Sequence, residues 1–129
     1  MVYVDTSVML AQILAEDRCP PEALWSEMLV ASRLLEYETW NRLHARELAG
    51  ELGEAARQLL GRVAMLELAP PVLARALEPF PLAVRTLDAL HLASLEFLRE
   101  RGQTVSLATY DRRMATAAEA LEVPLHPIG

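Results

Sequence analysis

The sequence predicts an α/β protein, a three-layer α/β/α sandwich around a central, mostly parallel sheet of four to five strands. Two observations point there. Short apolar runs (VYV at 2–4, LVAS at 29–32, TVSLA at 104–108) alternate with longer helical stretches, the order that builds a parallel sheet covered on both faces. The chain has 129 residues and 53% apolar content, with no tandem repeat, which fits one domain spanning 1–129 with one core.

Taken in order, Val2-Tyr3-Val4 is β-branched and aromatic and reads as a buried strand, and residues 7–15 (SVMLAQILA) switch to helix formers. The break at Cys19-Pro20-Pro21 precedes a short helical piece near EALWSEM and a second strand at 29–32. LLEYETWNRLHARELAGELGEAARQLLGRV reads as two helices parted near Gly50 to Gly53. AMLELA at 64–69 is assigned as a third strand ended by Pro70-Pro71, with a helical segment as its rival. A short helix over 71–78 and a PFPLAV loop lead to Thr86, read as the N-cap of a helix through LDALHLASLEFLRERG that Gly102 stops. TVSLA is the fourth strand, DRRMATAAEALE a helix, and VPLHPI a terminal edge strand where prolines are tolerated.

The net charge is −6, from 12 basic against 18 acidic residues, so broad attraction to nucleic acid is not expected. An anionic partner then needs a metal or a local arginine cluster. All the cations are arginines, which excludes any catalytic lysine. Cys19 is the only cysteine, so an internal disulfide and a multi-cysteine metal site are excluded. No apolar stretch approaches the ~20 residues that span a bilayer, and a basic n-region is absent at the start. A cytoplasmic protein with no membrane partner is expected.

Three of the four aspartates stand at element junctions: Asp5 after the first strand, Asp88 in the first turn of a helix, and Asp111 between a strand and a helix. Each alone could be a helix cap. In parallel sheets, however, ligands gather beyond the carboxyl ends of strands where strand order reverses, and Asp5 and Asp111 belong to that edge if their strands are neighbours. An isolated buried carboxylate also costs several kcal/mol or more, so Asp5 needs donors, a cation or water.

The segments VDTSV (4–8), ASRLLEYE (31–38), TLDALHLASL (86–95) and LATYDRRM (107–114) resemble, in order and spacing, the motifs of PIN-domain ribonucleases, and among them the VapC-type toxins of bacterial toxin–antitoxin pairs. The resemblance covers essentially the whole chain. It implies that Asp5, Asp88 and Asp111 are site acids, with a glutamate from the helix after the second strand. Glu38 fits the spacing from Ser32; Glu36 is its rival, and residues two apart on a helix face different ways. Thr6, Ser7 and Thr109 match hydroxyl positions beside the acids.

Clustered carboxylates raise one another's pKa values unless a cation compensates. Mg²⁺ or Mn²⁺, hard ions that prefer oxygen ligands, are the natural compensators. The resemblance implies metal-dependent endonucleolytic hydrolysis of RNA to a 5′-phosphate and a 3′-hydroxyl, a cognate antitoxin protein, and a homodimer. Arg85 and Arg112 are the first choices for RNA contact. His44, His91 and His126 have no metal-binding spacing, and His91 reads as a structural hydrogen-bonding residue. An aspartyl-phosphate mechanism is disfavoured: Asp5-Thr6-Ser7 lacks a second aspartate, and a receiver needs a lysine. The alternative is a catalytically inactive PIN-like module that binds RNA or protein.

Overall fold

The computed structural model describes residues 1–129. Its strands are β1 (Val2–Val4), β2 (Leu29–Ser32), β3 (Val63–Leu66) and β4 (Ser106–Ala108). Its helices are α1 (Thr6–Ile13), α2 (Leu34–Ala45), α3 (Ala49–Leu60), α4 (Pro70–Leu77), α5 (Thr86–Glu100) and α6 (Arg112–Ala120), with a 3-10 turn at Glu22–Ser26. The strands form one sheet in the order β3-β2-β1-β4, and every pairing is parallel. Helices cover it: α1, α2 and α3 pack against one another, while α4 packs on α5 and α5 on β2.

The central strands are buried along their whole length, as a sheet covered on both faces requires. Val2, Tyr3 and Val4 join Leu92, Leu95, Leu107 and Met114 in the main core. Truncating one of these leucines to alanine removes about 2–5 kcal/mol, a large share of a typical domain's stability.

The three-layer parallel architecture agrees with the sequence reading, and several boundaries differ for identifiable reasons. The terminal VPLHPI segment is not a strand; Leu125 makes one isolated parallel bridge to Leu107, leaving a four-stranded sheet. Prolines at 124 and 127 lack the N–H groups a longer ladder needs. The third strand spans 63–66 instead of 64–69, and α4 begins at Pro70 itself, where the missing N–H has no helical partner to lose.

The break between α2 and α3 falls at residues 46–48, where Glu47 adopts φ 55°. Gly50 and Gly53 lie inside α3. At Gly53 an added Cβ would stand 3.2 Å from the Trp40 ring, so that glycine permits close packing of α3 on α2 instead of ending a helix. Thr86 is the first residue of α5; the extended residue before it, Arg85, occupies the N-cap without a side-chain capping bond.

Candidate active site at the carboxyl edge of the sheet

The strand order places the chain reversal beside β1. From β1 the chain builds β2 and β3 on one side and then crosses to β4 on the other, which opens a crevice beyond the carboxyl ends of β1 and β4. The ladder continues one residue past β1, where the Asp5 N–H donates to the Ala108 carbonyl at 3.1 Å. Asp5 and Thr109 are thereby brought together.

Asp5 is 6% exposed, and its donors answer the burial problem. Oδ1 accepts the Thr6 N–H at 2.7 Å, and Oδ2 accepts Ser7 Oγ–H at 2.9 Å and Thr109 Oγ1–H at 2.6 Å. These hydroxyls accept in turn: Tyr110 N–H donates to Ser7 Oγ and Asp111 N–H to Thr109 Oγ1, both at 2.9 Å. The loop after β4 is therefore fastened to the start of α1. Asp5 also caps α1, and Asp111 caps α6, its Oδ1 accepting from Arg113 N–H at 2.9 Å and Met114 N–H at 3.4 Å.

Glu38 projects from α2. Its Oε1 accepts Thr6 Oγ1–H at 2.9 Å and bonds His91 Nε2 at 2.5 Å. Glu36 turns elsewhere and pairs with Arg33 at 3.0 Å. Asp88, in the first turn of α5, makes no hydrogen bond. All four acids, Asp5, Glu38, Asp88 and Asp111, line one open cleft of about 620 Å³ together with Arg18, Asn41, Arg42 and Tyr110.

The charges interact. Burial, then the carboxylates of Asp111 and Asp5, push the Asp88 carboxyl above its usual range; Glu38 adds to this and His91 opposes it. For His91, burial works against the charged ring. The hydrogen bond and charge of Glu38, with Asp5 and Asp88, outweigh that burial and hold its pKa above the ordinary histidine value.

No three of these side chains stand close enough to form a ready chelate. The donor set is nonetheless all oxygen and anionic, with four carboxylates facing one cleft. That chemistry fits a hard divalent ion, and the open spacing fits one that keeps several waters while contacting one or two carboxylates.

A second cavity of about 540 Å³ adjoins the first and shares Asp88. Arg85, Arg112 and Arg113 line it above Val84, Met114 and Ala117. None of these arginines forms an ion pair. Arg112 and Arg113 open α6, and Arg85 is the N-cap of α5, so all three stand at the positive ends of helix dipoles, where a cation is disfavoured by about 0.3–1 kcal/mol.

Arg85 and Arg112 thus lie beside the acid cleft and not within it. Arg18 and Tyr110, stacked with the guanidinium 5.0 Å from the ring centroid, were not singled out in the sequence. The only signal for Tyr110 was its place between Thr109 and Asp111, and nothing local marked Arg18. His91 is the structural hydrogen-bonding residue its spacing suggested, but its partner is a cleft acid.

Fold and site together define a class: a parallel α/β protein with four carboxylates around a cleft at the switch point of its sheet. The PIN-domain family model matches residues 2–120, and the chain belongs to that family. Among its relatives is "Ribonuclease VapC35" of Mycobacterium tuberculosis, 30% identical over 129 residues that cover 95% of this chain and 93% of that protein. "Ribonuclease VapC47" of the same species is 30% identical over 121 residues, 88% of this chain and 87% of the relative.

Proposed function

We propose that the protein is a Mg²⁺- or Mn²⁺-dependent endoribonuclease and the toxin of a toxin–antitoxin pair, acting as a single domain over 1–129. The observation that carries this reading is the convergence of Asp5, Glu38, Asp88 and Asp111 on one cleft of a PIN-domain chain; relatives named as VapC ribonucleases support it.

Asp5, Asp88, Asp111 and Glu38 would hold the ion, one or two of them directly and the others through its waters. When bound, it supplies positive charge to an otherwise repulsive cleft, stabilises charge building on phosphoryl oxygens and acidifies a water. The protein's own groups set the geometry. Ser7 and Thr109 fix Asp5, Thr6 fixes Glu38, and the Thr109–Asp111 contact fixes the start of α6. Arg85 and Arg112, joined by Arg113, hold the RNA backbone beside the cleft, which supports in-line hydrolysis with a 5′-phosphate and a 3′-hydroxyl as products. Their unpaired state at two helix N-termini favours this role, since a bound phosphate offsets an arrangement that the fold alone disfavours.

The protein works in the cytoplasm; no helix is long and apolar enough to cross a membrane. Its partners are RNA, a cognate antitoxin protein and a second copy of itself. Leu73 and Leu77 of α4, 42% and 88% exposed, offer an apolar face for the homodimer.

The test is cleavage of a mixed RNA pool by purified protein with Mn²⁺, with EDTA, and by the Asp5→Asn variant. Cleavage only by the native protein with metal is expected. Cleavage that survives EDTA and Asp5→Asn overturns the reading, and RNA binding without cleavage favours the inactive binding module.

A further inference from the structure

We propose that Tyr3 and His91 form a buried relay that holds the Glu38 carboxylate, making His91 a positioning residue of the acid cleft; this rests on the metal-dependent ribonuclease reading above. The chemistry of the groups sets the direction of each hydrogen bond. The Ser32 backbone N–H can only donate, and it donates to the Tyr3 hydroxyl at 3.0 Å. Tyr3 is fully buried, and a phenol keeps its proton at neutral pH. Its one proton is therefore free to be donated, and the group 2.8 Å away is His91 Nδ1. In the neutral ring Nδ1 accepts, the ring proton stands on Nε2, and Nε2–H donates to Glu38 Oε1 at 2.5 Å.

Thr6 Oγ1–H fills the remaining lone pair of Oε1 at 2.9 Å. That oxygen is saturated, and Oε2 is the one left for a ligand. The relay accounts for two polar groups that a sheet core would otherwise exclude, a phenol at 0% exposure and an imidazole at 2%.

It also ties together the backbone that carries three of the acids. Tyr3 lies two residues before Asp5 along extended chain, and His91 lies three after Asp88 on the same face of α5. Ser32 ends the strand that leads into α2 and Glu38. A core histidine with no task in the cleft would not need its Nε2–H aimed at the cleft acid of α2.

The experiment uses the full chain and Mn²⁺ alone, with calorimetric affinities for the native protein, His91→Leu, His91→Gln, Glu38→Gln and the His91→Leu/Glu38→Gln pair. His91→Leu is expected to weaken binding by about 10–100-fold, the range typical when the outer partner of a metal ligand is lost. His91→Gln, whose amide N–H can replace Nε2–H, should regain most of it. On the Glu38→Gln background, His91→Leu should change the affinity by less than about twofold, because it acts through Glu38.

An unchanged affinity in folded His91→Leu, or an equal loss on the Glu38→Gln background, overturns the proposal. A metal-free arm reads the imidazole nitrogens by ¹⁵N NMR: the neutral ring should carry its proton on Nε2 in the native protein and lose that fixed tautomer in Tyr3→Phe. A neutral ring whose proton stands on Nδ1 overturns the relay. A native chain that keeps Nε2–H but binds no Mn²⁺ supports the relay while overturning the metal reading above. Should His91→Leu fail to fold, His91→Gln and Tyr3→Phe carry the comparison.

Discussion

The acid cleft and the arginine cavity share a wall at Asp88 yet are built in opposite ways. In the cleft, Asp5 and Glu38 are bound by hydroxyls, a backbone N–H and an imidazole. In the cavity, Arg85, Arg112 and Arg113 stand without ion pairs at helix N-termini. The arginines that do pair, such as Arg33 with Glu67 at 2.6 Å and Arg75 with Glu96 at 3.3 Å, lie away from both. On a chain of net charge −6, these cations stay free beside a cluster of acids. Under the proposed function the difference is a division of labour: hydrogen-bonded acids such as Asp5 and Glu38 for chemistry, uncommitted arginines for holding a polyanion.

The strongest way to break this comparison is to neutralise the cleft. Asp5→Asn or Asp88→Asn should lower cleavage roughly 100-fold or more, because metal-assisted stabilisation is worth several kcal/mol and about 1.4 kcal/mol is tenfold in rate. RNA affinity, measured by fluorescence anisotropy, should not fall alongside. A parallel loss of binding would erase the proposed division.

Emptying the cavity is the converse. Removing Arg85, Arg112 and Arg113 together should weaken single-stranded RNA binding in EDTA. The plot of log affinity against log salt should become shallower by about 2, at about 0.7 per lost phosphate contact. An unchanged slope takes these arginines off the RNA path.

A smaller effect sharpens the electrostatic account. The folded Asp88 carboxyl titrates above the unfolded value of 3.8, so its ionised form opposes folding once the pH exceeds that raised value. In metal-free protein Asp88→Asn should therefore raise the Tm at neutral pH. The gain should shrink as the pH falls through the raised pKa towards 3.8, and adding Mn²⁺ should favour the native chain instead.

The smallest change is a control one residue past Glu38. Thr39 Oγ1 is buried without a partner, and Thr39→Val should stabilise the fold by about 1 kcal/mol, read by urea denaturation. Cleavage should be unaffected, because Thr39 touches neither cavity.

Much of this was legible in the sequence because strands covered on both faces spell themselves in apolar runs, and an acid closing such a run stands out. Asp5 and Asp111 pointed to one sheet edge on the condition that their strands were neighbours, which the β1–β4 pairing meets. Motif spacing favoured Glu38 while leaving Glu36 as its rival, and the Arg33 ion pair shows where Glu36 goes. What stayed hidden depends on tertiary contact. Gly50 and Gly53 looked like punctuation, yet Gly53 answers to the Trp40 ring packed against it, while the true break uses a left-handed Glu47 that no local rule selects. His91 kept its purpose hidden for the same reason, since its partners are 88 and 53 residues away in the chain.

Asp5 and Asp111 are also the residues that start α1 and α6, and this shapes how an alanine scan of the protein will read. Alanine at either position removes a cap worth about 1 kcal/mol as well as a charge, whereas asparagine caps as well as aspartate. Asp88 and Glu38 have no such second task. The four acids will therefore split into two pairs: at Asp5 and Asp111 the alanine and asparagine variants should differ in melting behaviour while sharing the same lost chemistry, and at Asp88 and Glu38 alanine should carry no cap penalty.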